Sequence, residues 1–353
     1  MLIEIFSTFL KLGLFAFGGP AAHIAMMENE FVHDKGWLSQ EEFLSLLGFT
    51  NLIPGPNSTE MAMLIGQKRA GKKGLLVAGF AFILPAMILV MFIGFLYQRY
   101  HELDQIQTIF NTMQPVVMAI ILSALVKMLS SQIKDINKVV IFILALIAAW
   151  FKMNELLVLL SAGLLYYLST KIKKDNLFVI EPLSLMSLFF IFFKIGLILF
   201  GSGYVLFAFV QAEFVNSLGL LSNSQIVDAI LVGEITPGPV LTTATFIGYQ
   251  FHGILGGLVA SLGIFLPSFL LVLLLGSIFE RLQSIKWFST ILSGVAMGSL
   301  ALMAMVLVNI GMTSLTSGLS IAIFVITSIG LIKYKKSPFL FICLTLVLSL
   351  FLI

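Results

Sequence analysis

Asn51-Leu52-Ile53-Pro54-Gly55-Pro56-Asn57-Ser58-Thr59-Glu60 and, much further along the chain, Thr236-Pro237-Gly238-Pro239-Val240 decide the fold. Each stretch lies inside an apolar run of membrane length. Two prolines within three residues remove backbone donors there, so a helix cannot pass unbroken. In hydrocarbon, a broken backbone is tolerated only where it is buried in protein or lines a watery cavity. The two Pro-Gly-Pro segments therefore predict paired discontinuous helices inside a membrane protein, with Pro54, Pro56, Pro237 and Pro239 as the breaks.

Working outward, the recurrence extends well beyond the prolines. Pro54 and Pro237 are offset by 183 residues, and the same offset aligns Phe9-x-Lys11-x-Gly13-Leu14-x-x-Phe17-Gly18 with Phe192-x-Lys194-x-Gly196-Leu197-x-x-Phe200-Gly201. It also aligns Glu30-Phe31-Val32 with Glu213-Phe214-Val215, and Leu38-Ser39 with Leu221-Ser222. After a one-residue shift, Ile65-Gly66, Gly71, Gly74 and Leu84-Pro85 match Ile247-Gly248, Gly253, Gly256 and Leu266-Pro267. Apolar segments share Leu and Phe by chance, but not a lysine, a Pro-Gly-Pro and a Leu-Pro in one order. The chain is read as an internal duplication, with repeats over 1–172 and 183–353 joined by a linker over 173–182.

Composition sets the solvent. Of 353 residues, 59% are hydrophobic and 10% charged, and the mean hydropathy is +1.08, more apolar surface than a water-soluble core of this length can bury. One cysteine, Cys343 in an apolar run, excludes a disulfide scaffold or a Cys-rich metal site. The net charge of +3 is scattered in short clusters between apolar segments, unlike a nucleic-acid-binding stripe. Apolar segments fall near 3–25, 43–65, 74–97, 110–129, 138–151 and 155–169, then near 183–210, 226–249, 254–279, 287–308, 318–332 and 338–353.

The basic loops change register between the halves. Lys68, Arg69, Lys72 and Lys73 follow segment two of the first half, whereas the loop after segment two of the second has no Lys or Arg. Under the positive-inside rule, each half then crosses an odd number of times and the second is inserted upside down. The fold expected is an all-α polytopic membrane protein of two homologous halves in inverted orientation, with about five crossings each plus a broken or re-entrant segment per half.

Chemistry concentrates at the breaks. A half-helix starting after each break exposes N–H groups and a positive dipole end, which attract anions. Gly55 with Asn57, Ser58 and Thr59, and Gly238 with Thr242 and Thr243, supply backbone, hydroxyl and amide donors for a substrate. Lys11 and Lys194 lie in apolar runs at equivalent repeat positions, where a cation is costly and usually functional; snorkelling to the interface is the structural alternative. Together with the half-helix ends they suit a small inorganic oxyanion. Glu60 and Glu234 flank the breaks and are coupling candidates, although a cap or a lysine pair would use them equally. They are not repeat equivalents, since Thr243 stands opposite Glu60 and Asn51 opposite Glu234. Gly18 and Gly19, and Gly201 in the second half, form a second set of backbone breaks or close-packing sites, with His23 just after the first. Gly253-x-x-x-Gly257 and Gly294-x-x-x-Gly298 read as helix-packing motifs. No spacing resembles a metal site, no cofactor is expected, and no nucleophile with a base is visible.

Four motifs are similar to those of the chromate ion transporter family: Phe17-Gly18-Gly19-Pro20-x-x-His23, Gly36-Trp37-Leu38-Ser39, Asn51 to Glu60, and Thr236-Pro237-Gly238-Pro239-Val240. The resemblance covers both halves, as in a long, fused, two-domain member. One departure is Gln67-Lys68, where an aromatic is the family's habit. The resemblance implies export of chromate, a sulfate-like oxyanion, across the bacterial cytoplasmic membrane. The function expected is therefore secondary transport of that class by alternating access, coupled to protons. An uncoupled anion channel and an intramembrane enzyme are the rival classes. The partners expected are the oxyanion and the bilayer, without nucleic acid, in a monomer or a homodimer.

Overall fold

The computed structural model describes residues 1–16, 19–50, 54–132, 136–151, 153, 155–168, 184–199, 203–275 and 286–352. The linker 173–182, Gly18 and Gly201 lie outside these residues. Among the described residues there is helix and no strand. In the first half run α1 (Leu2–Phe15), α2 (Gly19–Glu28) with a π-helical turn Asn29–Asp34, α3 (Gln40–Thr50), α4 (Asn57–Tyr100), α5 (Asp104–Gln132), α6 (Ile136–Trp150) and α7 (Glu155–Leu168). The second half repeats the order as α8 (Leu185–Ile198), α9 (Leu206–Val210) with a π-helical turn Gln211–Ser217, α10 (Asn223–Ile235), α11 (Thr243–Leu275), α12 (Lys286–Ser314), α13 (Gly318–Ile332) and α14 (Pro338–Leu350). Among the described residues, four helical stretches are long and apolar enough to cross a membrane: Asn57–Tyr100, Asp104–Ser130, Val240–Leu274 and Ser293–Ser314.

Both α4 and α11 are helical hairpins rather than single rods. Each departs from helical geometry at two residues, Ala70 and Gly71 (φ −144° and 59°) and His252 and Gly253 (φ −138° and 55°). A Cβ on Gly66 would strike the carbonyl of Gly74, and one on Gly74 that of Gly66; Gly248 and Gly256 stand in the same relation. Residues eight apart in a straight helix are roughly 12 Å from each other, so this contact means the chain has turned back on itself. The half-helix after each Pro-Gly-Pro ends at this turn and the long limb returns beside it. Gly253, read from sequence as a packing residue, is instead the turn, which needs its positive φ. Gly298 does pack: a Cβ there would come within 2.9 Å of the Cβ of Ala162 on α7.

The chain forms two compact units, and they do not coincide with the two repeats. The first contains Met1–Gln98, Ile180–Gly203 and Val232–Ile285; the second contains Arg99–Val179, Tyr204–Leu231 and Lys286–Ile353. Each unit draws on both halves, and in the second the exchange is reciprocal. Helix α12 packs on α6 and α7 of the first half, while its repeat equivalent α5 packs on α13 and α14 of the second. In the first unit, α8 lies along α11, and an apolar core of Ile5, Phe9, Leu12, Phe31, Phe43 and Phe82 fills the space around α1. Ile5, Phe9 and Leu12 recur at helical spacing on one face, whereas Ile3, Leu14 and Phe15 on the other are exposed, as on a helix that faces lipid.

The first unit also fixes the relative direction of the repeats. The long limb of α4 starts at the Ala70–Gly71 turn and runs from Lys72 to Tyr100, roughly 40 Å at 1.5 Å per residue. At its far end the Gln98 side-chain amide donates to the carbonyls of Tyr249 (3.1 Å) and Gln250 (3.0 Å), beside the His252–Gly253 turn. Equivalent turns of the two repeats thus sit at opposite ends of a membrane-length helix, as inverted halves require. The first turn is basic, with Lys68 paired to Glu42 at 2.6 Å and Arg69 5.0 Å from the Trp37 ring centroid. The second has no Lys or Arg.

Gly66→Val drives a branched side chain into the facing backbone and should destabilise the protein by about 1–3 kcal/mol. Gly318→Ala, with nothing within 4 Å, should leave it unchanged. Thermal unfolding of the purified protein in detergent checks both.

Candidate functional site

The breaks open backbone groups that must find partners, and each finds one in the other half. Gly55 N–H donates to the carbonyl of Leu199 at 2.7 Å, and Gly238 N–H donates to the carbonyl of Ala16 at 3.0 Å. Gly55 and Gly238 are repeat equivalents, as are Ala16 and Leu199. Ala16 (φ −79°, ψ 85°) and Leu199 (φ −81°, ψ 90°) end α1 and α8 in the same non-helical conformation, which turns their carbonyls out of the helix. Both glycines have positive φ, 140° at Gly55 and 98° at Gly238, which side chains rarely adopt. The result is two joints related by the repeat, each a Pro-Gly-Pro bend of one half hydrogen-bonded to the first helix of the other.

At the first joint the half-helix begins at Asn57. Thr59 N–H and Glu60 N–H both donate to the carbonyl of Pro56, at 2.8 and 3.1 Å. Ser58, Thr59 and Glu60 are buried, Glu60 completely. A Cβ on Gly55 would overlap both a carboxyl oxygen of Glu60 and the hydroxyl of Ser268 on α11, so these two groups converge over the glycine. The Ser268 hydroxyl is close enough to act on the carboxyl as a hydrogen-bonding group but stops short of full geometry, and neither Glu60 oxygen has another partner among the described residues. Thr59 Oγ1 is in the same condition.

At the second joint, Thr242 and Thr243 donate their hydroxyl protons inside the break, to the carbonyls of Pro239 and Val240, both at 2.8 Å. In this conformation these two threonines present acceptor capacity, not the donors expected from sequence. Their protons cap a short 3-10 turn, Val240–Thr242, which begins the half-helix. The carbonyl of Ala16 accepts a second bond, from His23 Nε2 at 3.0 Å. A ring nitrogen facing a carbonyl carries its hydrogen, so in the neutral ring Nδ1 is the bare acceptor, and it is buried without a partner among the described residues. Glu234 lies in the last turn of α10 just before the break, with Oε1 buried and unpartnered among those residues.

Gly55, Ser58, Thr59 and Glu60 thus come together around one joint, and Gly238, Thr242, Thr243 and His23 around the other. Gly19 opens α2, four residues before His23. Lys11 and Lys194 are placed differently. Both are exposed, on the faces of α1 and α8 opposite the buried residues Phe9, Leu12, Phe192 and Ile195. They flank exposed apolar side chains, Leu14 and Phe15 beside Lys11, Phe190 and Leu197 beside Lys194. Ser268 was absent from the sequence reading. Extending the Leu84-Pro85 and Leu266-Pro267 match by one residue sets Ala86 against Ser268, a polar-for-apolar difference that marks it.

The second unit has a polar recess of about 340 Å³ near Asn111, Gln114, Thr313 and Ser317. Thr112, Thr313 and Ser320 there donate to carbonyls of their own local chain, so the recess has the ordinary polarity of helix ends. No cluster of potential metal ligands occurs among the described residues.

Two inverted, broken-helix repeats joined reciprocally at their breaks define a multi-pass membrane protein of transporter architecture. The chain belongs to the chromate transporter family: the family model for chromate transporters matches residues 3–167 and 186–350, once per repeat. A chromate transport protein of Cupriavidus metallidurans is 28% identical over 350 residues, covering 93% of this chain and 87% of that protein. An uncharacterized transporter of Methanocaldococcus jannaschii is 26% identical over 378 residues, covering 98% of this chain and 93% of its own. A shorter uncharacterized transporter of Bacillus subtilis is 29% identical over 166 residues, 46% of this chain but 93% of that protein. No solved structure matches.

Gly55→Ala and Gly238→Ala each force a side chain into a positive-φ site and into atoms of the other half. Each should lower stability by about 1–3 kcal/mol and abolish transport, measured as loss of thermal stability in detergent and of anion flux in vesicles.

Proposed function

We propose that the protein is a secondary active transporter that exports chromate or a related oxyanion such as sulfate across the cytoplasmic membrane by alternating access, coupled to the proton gradient. The observation that carries the reading is Glu60, a fully buried carboxyl with no full hydrogen bond and no cation among the described residues, at a joint between two inverted halves. A carboxylate held there without a cation would cost several kcal/mol. Glu60 therefore holds a proton while the joint is closed and releases it when the joint opens to water. Glu234, before the other break, is the second candidate for that exchange. The basic turn at Lys68, Arg69, Lys72 and Lys73 faces the cytoplasm under the positive-inside rule.

The cargo follows from the donors. Half-helix N-termini at Asn57 and Val240 present their positive dipole ends at the breaks, suited to a dianion. Lys11 and Lys194, exposed on the faces of α1 and α8 turned away from the joints, are not needed to hold it there. Relatives named as chromate transport proteins support chromate as the first anion to try. One chain supplies both joints, so a second copy is not required to complete them, and no cofactor enters the cycle.

Radiolabelled chromate should accumulate in inverted membrane vesicles, saturably, faster with an imposed proton gradient, and in competition with sulfate. Flux that neither saturates nor responds to the gradient would make the protein a channel. Lys11→Met and Lys194→Met should each leave uptake near the wild-type rate at unchanged membrane abundance, and loss of uptake in either would bring the lysines into the mechanism. Glu60→Gln should leave chromate binding intact while the response to the gradient disappears.

A further inference from the structure

The two joints share a backbone but not their side chains. Over Gly55 stand Glu60 of the same half and Ser268 of the other; the repeat equivalents are Thr243 and Ala86, of which Ala86 stands over Gly238. The Ala86 Cβ lies 2.7 Å from the place a Cβ on Gly238 would occupy, which makes that contact apolar. Thr243 is bonded within its own break. At Gly55 the carboxyl and the hydroxyl converge from opposite halves, and both are buried without a partner among the described residues. No charged side chain acts on Glu60 from α4, α8 or α11 among those residues. Two buried polar groups that face each other and nothing else have one inexpensive resolution, a hydrogen bond to each other.

We propose that Ser268 is the positioning residue for the Glu60 carboxyl, so that the Gly55 joint is a proton-bearing gate with no counterpart of this pair at the Gly238 joint. A small rotation of either side chain completes the bond. Protonated Glu60 donates its hydroxyl to Ser268 Oγ; after the proton leaves, Ser268 turns and donates its own hydroxyl to the carboxylate. The bond connects the half-helix of one repeat to the long limb of the other, so the charge of Glu60 is felt in both repeats. At the equivalent positions the Gly238 joint has neither a titratable group nor a free hydroxyl.

The proposal rests on the proton-coupled reading above but is tested separately from it. Infrared difference spectra of the purified protein in liposomes, taken across a pH step, report the stretch of a protonated carboxyl, assigned to Glu60 by its loss in Glu60→Gln. Ser268→Ala should displace that band and slow gradient-driven chromate uptake about tenfold, the effect of losing one hydrogen bond to a charged group, with KM unchanged. Ser268→Thr, which keeps the hydroxyl, should restore both. Ser299→Ala, which removes another buried hydroxyl without a partner, should change neither. A Glu60 band that stays in place in Ser268→Ala overturns the proposal whatever the flux does. A wild-type protein that moves no chromate defeats the transport reading and leaves the band to decide the role of Ser268.

Discussion

A polypeptide in hydrocarbon must satisfy its backbone within the protein, since an unpaired N–H or C=O there costs several kcal/mol. Each Pro-Gly-Pro bend creates such groups on purpose. Gly55 and Gly238 are turned by positive φ so that their N–H groups point away from their own helices, and the acceptors are the carbonyls of Leu199 and Ala16. Those carbonyls are themselves available only because α1 and α8 stop at a non-helical residue. Two discontinuities, each unacceptable alone, satisfy one another. The glycine contacts that fold α4 and α11 into hairpins hold the half-helices where this exchange can occur.

Because the exchange runs between halves, neither half is a self-sufficient body. The second unit follows the same rule with packing in place of hydrogen bonds, α5 against α13 and α14, α12 against α6 and α7. Reciprocal contacts of this kind are what two-fold symmetry produces, each patch meeting its own counterpart. The frame is symmetric but its side chains are not: Glu60 and Ser268 in one set of equivalent positions stand against Thr243 and Ala86 in the other.

Much of this was legible in the sequence. The repeat, the breaks at 54–56 and 237–239 and the inverted orientation all rest on local or periodic signals, namely proline, glycine, hydropathy and loop charge. The pairing of Gly55 with Leu199 was not. Backbone carbonyls carry no sequence mark, and a partner 144 residues away (199 − 55) leaves no period to detect. For the same reason the compact units could not be foreseen: hydropathy locates α5 and α12 but is silent on which hairpin each one chooses. The lysines show a different limit. Sequence identified Lys11 and Lys194 as cations inside apolar runs, but which face of α1 and α8 they occupy depends on how those helices rotate to bury Phe9 and Phe192.

Fusion of the repeats has a physical consequence of its own. A chain with a single repeat would leave the Gly55 N–H without its acceptor unless a second chain supplied the end of its first helix. Two identical chains would then build two identical joints, each with its own Glu60 and neither with a serine opposite, since position 86 is alanine. Joining the repeats in one chain lets equivalent positions differ: Glu60 stands in one repeat and Thr243 in the other, Ala86 in one long limb and Ser268 in its counterpart. The duplicated backbone closes the circuit of hydrogen bonds, and the differences inside it leave a buried carboxyl and a hydroxyl at one joint and not at the other.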